Sequence, residues 1–275
     1  MASMQSASKP RLVASDLGGT LVPPRADSLP SATIAVLDTI MAAGVAVALV
    51  TGFNLHTANR MVAGLNGSPW LLVQNGTLAT RCGRIAWEHG LAVDEAEKLV
   101  RRLEALEIPV VVYRSLSRGG RPEYRGFGLF RRGAPFRPVP GFTDFSGITG
   151  VSTQIGNDRV GEVTAALNGS LPMNSRLISS RGNTRTWLEV TPFHARKDQA
   201  LKRLCSELDI DPADVIYFGD NMNDLEALEM VGFPRVVADG LPELRRIYPQ
   251  VAASVHQGPA RELARIYGLA DIPGL

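Results

Sequence analysis

Two short apolar runs near opposite ends of this 275-residue chain each break off into acidic residues and glycine: Arg11-Leu-Val-Ala-Ser-Asp-Leu-Gly-Gly-Thr-Leu21 and Val215-Ile-Tyr-Phe-Gly-Asp-Asn-Met-Asn-Asp224. Such a run reads as a buried strand that ends in a loop. In an open parallel α/β sheet, ligands sit outside the carboxyl ends of the strands. Carboxylates placed just after two strands therefore meet there despite their distance in sequence. The pairing predicts one sheet closed from both ends of the chain, with a site for a divalent metal and a phosphoryl group at its edge.

The flanking segments alternate as that sheet requires. Leu12–Ala14 leads into the first acidic loop, and Ser31–Ala43 predicts a helix with Ile34, Leu37 and Met41 on one face. Gly44 stops it, and Val45–Val50 and Trp70–Val73 follow as apolar runs, giving a parallel βαβ unit. Towards the carboxyl end, Lys197–Leu208 carries Leu201, Leu204, Cys205 and Leu208 at helical spacing, and Asp211-Pro212 turns into the strand Val215–Phe218. Asp224–Val231, the run Arg235–Ala238, a helix from Leu241-Pro242, the run Val251–Val255 and a helix over Pro259–Tyr267 complete the series.

The middle has a different pattern. Asp94 and Glu97 predict a capping box ahead of a stripe of Leu99, Val100, Leu103 and Leu106. Pro109–Tyr113 is strand-like, Ser117–Pro140 is rich in Gly, Pro and Arg, and a helix near Asp158–Leu167 precedes strand-like Arg176–Ser180 and Thr186–Val190. The expected fold is α/β: a doubly wound parallel core from residues 1–82 and 191–275, with an inserted α+β cap module over 83–190. No internal repeat interrupts this reading.

Composition excludes several classes. The 29 basic and 27 acidic side chains are too balanced to indicate a nucleic-acid partner. Cys82 and Cys205 belong to no ligand or disulfide pattern, and His56, His89, His194 and His256 are scattered singly. Nowhere do ~18 apolar residues run together, and residues 1–10 lack a signal-peptide core. The expectation is a soluble cytoplasmic protein with no membrane partner; the oligomeric state is left open.

Within the acidic loops, Asp16 is the candidate nucleophile, because a carboxylate can attack phosphorus and split one slow hydrolysis into two easier steps. Asp16, Asp220 and a backbone carbonyl make an oxygen set suited to magnesium. Thr51 ends an apolar run where its hydroxyl and the following amides can donate to phosphate, and Lys197 can neutralise phosphate charge. Taken alone, Asp16 reads equally well as a strand-end cap, the second loop as an Asx-rich turn, and Lys197 as an exposed lysine.

Asp16-Leu-Gly-Gly-Thr-Leu21, Thr51-Gly52, Lys197 and Gly219-Asp-Asn-Met-Asn-Asp224 resemble, in order and rough spacing, the four motifs of the haloacid dehalogenase superfamily. Gln74-Asn-Gly-Thr77 resembles the Asn-Gly segment of its Cof-type phosphatases. The resemblance implies hydrolysis of a small phosphorylated metabolite, such as a sugar phosphate, through an aspartyl-phosphate on Asp16. It further implies Mg2+ beside Asp16, the Gly18 carbonyl, Asp220 and Asp224, with Thr51, Lys197 and Asn223 completing the catalytic set. Gly19, Thr20, Gly52 and Asn75 are the expected substrate contacts in the core. In the inserted module, Arg121, Arg125, Arg185 and Trp187 are residues that could grip a second anion or stack on a sugar, with Arg185 and Trp187 carried forward as substrate contacts. Two positions depart from the pattern: Gly18 stands where the family has its second aspartate, and Phe53 where many Cof-type proteins have arginine. The missing aspartate is the family's general acid and base, a group that contributes roughly 10²–10⁴-fold. Two alternatives follow, a metabolite-binding protein with weak turnover and a phosphotransferase.

Overall fold

In a computed structural model, the protein is described over residues 9–126, 136–168, 175–181, 184–251, 257–269, 272 and 274–275. The chain packs as two units, residues 1–86 with 196–275, and residues 87–195.

The first unit begins with β1 (Leu12–Ser15), α1 (Ser31–Ala42), β2 (Ala46–Val50), α2 (Leu55–Met61), β3 (Trp70–Val73), β4 (Leu78–Arg81) and β5 (Arg84–Glu88). Among the described residues these strands join β12 (Val215–Gly219) and β13 (Phe233–Val236), which return from the end of the chain, in a seven-stranded sheet of order β13-β12-β1-β2-β3-β4-β5. β1, β2 and β3 are parallel, whereas β4 turns back antiparallel to β3. β5, starting at Arg84, is therefore an edge strand of the core sheet, and the second unit begins within it, at Trp87.

The predicted helix after β1 forms, but a different face is buried: Ala32, Thr33, Val36, Leu37 and Ile40 rather than Ile34, Leu37 and Met41. Most of its residues are apolar, so periodicity admits two overlapping stripes. Ile34 and Met41 instead reach the spaces beside Gly64 and Gly67 at the margin.

The second unit comprises α3 (Val93–Ala105), β6 (Val110–Arg114), β7 (Glu123–Arg125), β8 (Arg137–Pro138), β9 (Ile148–Gly156), α4 (Val160–Asn168), β10 (Ser175–Arg181) and β11 (Arg185–Pro192). Its sheet runs β10-β11-β9-β6-β7-β8 among the described residues, with antiparallel pairing from β10 to β7. Leu99, Val100 and Leu103 of α3 pack with Val163 and Leu167 of α4 against Val110, Val112, Val151, Leu188 and Val190 of the sheet. Full burial of each such side chain contributes about 1.5–3 kcal/mol. The capping box does not form: α3 starts at Val93 with Ala92 as N-cap, so Asp94 lies inside the first turn. There it favours the helix through the macrodipole.

The chain returns to the first unit with α5 (Lys197–Leu208), β12 (Val215–Gly219), α6 (Leu225–Met230), β13 (Phe233–Val236), α7 (Pro242–Ile247) and α8 (Gly258–Tyr267). β12 lies parallel to β1 and β13 parallel to β12. Beyond Val251, the predicted run to Val255 falls outside the described residues. The register sets Ser15 level with both Phe218 and Leu49, so three strands end side by side. No helix among the described residues is long and apolar enough to cross a membrane.

Candidate active site

Each loop at the carboxyl ends of β12, β1, β2 and β3 brings one of the singled-out residues: Asp220, Asp16, Thr51 and Asn75. The loops are tied together by backbone. Asp16 N–H donates to the Phe218 carbonyl (2.9 Å), Thr51 N–H to Leu72 (2.8 Å) and Asn75 N–H to Thr51 (2.9 Å). After β1 the chain folds back, with the Leu17 carbonyl accepting from Val22 N–H (2.7 Å) and the Val22 carbonyl from Gly19 N–H (2.9 Å). Gly19 has φ +87°, and a Cβ there would come within 2.5 Å of Asp220 Oδ2. Only glycine lets these two acidic loops approach so closely.

Lys197, the first residue of α5, joins the loops from below. Its Nζ lies 2.9 Å from Asp16 Oδ1 and 2.7 Å from Asp224 Oδ1, with its side chain only 2% exposed. Asp224 is held in turn by the Tyr217 hydroxyl (2.7 Å) and by the backbone N–H groups of Asp220 (3.1 Å) and Asn221 (3.2 Å). Thr20 donates to Asp220 Oδ1 at 2.8 Å. Asn223 Nδ2 reaches Asn75 Oδ1 at 3.5 Å, and Gly52 lies against the Asn75 side chain. Gln74 and Asn75 are held at φ 51° and 55°, left-handed values that cost of order 1–3 kcal/mol each and are kept only where surrounding contacts impose them.

The electrostatics reflect burial first and crowding of like charges second. Burial raises Asp16 well above the ordinary carboxylate range, and Asp224 and Asp220 add to this against the opposing pull of Lys197. Asp220 is raised to about 6, first by burial and then by Asp224. Burial works against the Lys197 ammonium, but Asp16 and Asp224 together outweigh it and raise its pKa. Asp16, Asp220 and Asp224 each offer a carboxylate oxygen, all within 4.8 Å of one another, and could hold a metal ion. With all three ionised against one ammonium, two negative charges remain. An all-oxygen set short of two positive charges fits a hard divalent cation such as magnesium.

The two departures from the family pattern touch. A Cβ built at Gly18 would lie 2.8 and 2.9 Å from Cε2 and Cζ of Phe53, so the aromatic ring fills the space of a residue-18 side chain. No sequence pattern links the two positions, which lie 35 residues apart. Tyr217 was also missed: in sequence it is one more apolar residue of a buried run, and only the 2.7 Å bond to Asp224 gives it a place in the site.

Of the singled-out residues of the second unit, Arg125, Arg185 and Trp187 sit on that unit's own sheet, and Arg121 lies in the loop before β7. Arg125 is an exposed end of β7 paired with Glu104 at 2.8 Å, a structural ion pair. Arg185 opens β11, and Trp187 faces Gln154 across the β11–β9 ladder. Arg121 lines a cavity of about 500 Å³ that belongs to this unit, together with Arg114, Glu123 and Arg137.

The sequence profile of the haloacid dehalogenase-like hydrolases matches residues 13–118 and 151–260. The chain belongs to this family. A curated relative, the HMP-PP phosphatase of Yersinia enterocolitica, is 44% identical over 64 residues; that stretch spans 23% of this chain and 23% of the relative. Among solved structures, a haloacid dehalogenase-like hydrolase from B. subtilis superposes with a TM-score of 0.79 at 17% identity, covering 94% of this chain and 100% of the other. A sugar phosphatase of subclass IIB superposes at 0.74 and 15% identity, covering 96% and 100%. At such identities the superpositions speak for the fold, with a haloacid dehalogenase core and an inserted cap.

Proposed function

We propose that this family member is a magnesium-dependent phosphatase that hydrolyses a small phosphorylated metabolite through an aspartyl-phosphate on Asp16. The observation that carries the reading is the buried contact of Lys197 with both Asp16 and Asp224 beside Asp220, a constellation that pairs a nucleophile with an under-neutralised oxygen cluster. Asp16, Asp220 and the Gly18 carbonyl would hold Mg2+, with Asp224 beside them. When bound, the ion offsets the repulsion between the Asp16 carboxylate and an anionic phosphoryl group.

The protein's own groups do the rest. Asp16 attacks phosphorus, and Lys197 keeps one of its oxygens in line while balancing charge. Thr51, 2% exposed, and the amides of Gly19, Thr20 and Gly52 are the donors for phosphoryl oxygens. Asn223 and Asn75 border the same loops and fix their spacing. Asp224 acts through Lys197 and through the amides of its own loop. The inserted unit is the cap, and Arg185 and Trp187 are its candidate substrate contacts. A sugar phosphate is one member of the substrate class, supported by the resemblance of the fold to a sugar phosphatase.

The test is a phosphate-release screen over phosphorylated metabolites, with and without Mg2+. Turnover should require the ion and disappear in Asp16→Asn. Persistence of turnover in that variant would remove Asp16 as the phosphoryl acceptor. The Gly18–Phe53 contact favours a second reading, slow hydrolysis or transfer to an acceptor other than water. A burst of phosphoenzyme followed by little steady turnover, or a rate that depends on an added alcohol acceptor, would select it.

A further inference from the structure

We infer that this site is selective for phosphoryl groups carried on a leaving oxygen whose anion is stable near neutrality, as in an organic diphosphate or an acyl phosphate, over phosphate esters of alcohols. The inference rests on the phosphatase reading above and specifies its substrate class.

The geometry starts at position 18, two residues past Asp16. Gly18 offers no side chain, and the space that one would fill holds Cε2 and Cζ of Phe53. Phe53 is anchored in that place. Its N–H donates to Thr51 Oγ1 at 3.2 Å, and its carbonyl accepts from Gln74 N–H at 2.9 Å. The residue is 38% exposed while Asp16 is 6% exposed, so the ring borders solvent and the nucleophile does not. Attack by Asp16 comes from the interior. In an in-line displacement the bond that breaks lies on the far side of phosphorus, toward solvent and the ring.

The ionisable groups that these core loops bring together are engaged with one another and with the loops that carry them. Lys197 is shared by Asp16 and Asp224, Asp224 also accepts from Tyr217 and two amides, and Asp220 accepts from Thr20. Beside Gly18, which contributes no side chain, the Phe53 ring places aromatic carbon and no proton donor. In the first step the Asp16 Oδ–P bond forms and the bond from phosphorus to the leaving oxygen breaks, the electron pair departing with that oxygen. An alcohol ester must then release an alkoxide, which needs a proton at once. A diphosphate releases a phosphate anion and an acyl phosphate a carboxylate, and neither needs one. In the second step water oxygen bonds to phosphorus, the Asp16 Oδ–P bond breaks, and the proton lost by water passes to solvent.

The experiment compares kcat/KM of the full-length enzyme with Mg2+ on substituted phenyl phosphates of graded leaving-group pKa, glycerol phosphate, adenosine diphosphate and acetyl phosphate. Intact-mass detection of phosphoenzyme in single turnover accompanies it. Wild type should lose rate steeply as leaving-group pKa rises, and glycerol phosphate should fall below the two anhydrides by roughly 10²–10⁴-fold. Whichever anhydride is faster assigns the source of the phosphoryl group. Gly18→Asp combined with Phe53→Ala, which makes room for the carboxyl, should flatten the dependence and raise the glycerol phosphate rate. Phe53→Ala alone should keep the steep slope, because it opens space without adding a donor. A shallow slope in wild type, with phosphoenzyme still formed on Asp16, would overturn the inference and leave the phosphatase reading standing. Absence of both turnover and phosphoenzyme on every substrate would instead overturn that underlying reading.

Discussion

Burial and the neighbouring Asp224 carboxylate raise Asp220 to about 6 from an ordinary 3.8, although Thr20 and Lys197 pull the other way. A carboxyl whose folded pKa lies above its unfolded one holds a proton in the folded state that the unfolded chain has released. Stability therefore falls as pH rises from about 4 to 6, and the full penalty applies above that window. Asp220→Asn keeps an acceptor for Thr20 and removes the charge, so in EDTA at neutral pH it should stabilise the fold by about 1–3 kcal/mol in urea denaturation. The same variant should lose most of its Mg2+ affinity by calorimetry. Unchanged affinity would remove Asp220 from the ligand set. Lys197→Met should act in the opposite direction on stability: it strands Asp16 and Asp224 in the interior without their shared ammonium. Breaking a buried pair in this way costs about 3–5 kcal/mol, and a loss below about 1 kcal/mol would mean that the carboxylates find other compensation.

At the scale of elements, the strands that carry the site were legible because buried parallel strands leave continuous apolar runs, and their register then fixes which loop residues meet. Asp16, Thr51 and Asp220 could be placed in this way, whereas Lys197 reads alone as an exposed lysine and joins them only through its resemblance to the family's third motif. What escaped depends on contacts across loops: the Phe53 ring over Gly18, the Tyr217 hydroxyl on Asp224, and the choice between two apolar faces on α1. The segment after Tyr113 was opaque for another reason. Its organising contacts are ionic, with Glu123 of β7 bonded by Arg137 and by Arg114 at 2.7 Å, and ion pairs leave no period in sequence. Burial opposes ionisation of Glu123, but hydrogen bonds from Arg137 and Arg114 outweigh it and lower its pKa below the usual 4.5. Its stabilising contribution is thus complete above about pH 4.5 and is lost as pH falls through the lower folded value. Glu123→Gln should therefore be less stable than wild type by about 1–3 kcal/mol at pH 7, with the gap closing under acid conditions. A gap that persists unchanged at pH 3 would assign the loss to shape rather than charge.

Across the whole molecule, the carboxylates and Lys197 all belong to the unit formed by residues 1–86 and 196–275, while residues 87–195 enclose a separate apolar core. This division separates two ways of changing stability. Magnesium at about 100 times its Kd should add about 2.7 kcal/mol to the unit that binds it. Leu99→Ala, at a fully buried position of α3, should remove about 2–5 kcal/mol from the other. Trp70 reports on the first unit and Trp187 on the second, so single-tryptophan variants can follow each by fluorescence during urea unfolding. The Trp70 transition should shift with Mg2+ and stay in place in Leu99→Ala, and the Trp187 transition should do the reverse. If both probes move together under both perturbations, the two units unfold as one cooperative block, and the inserted segment does not stand as a domain of its own.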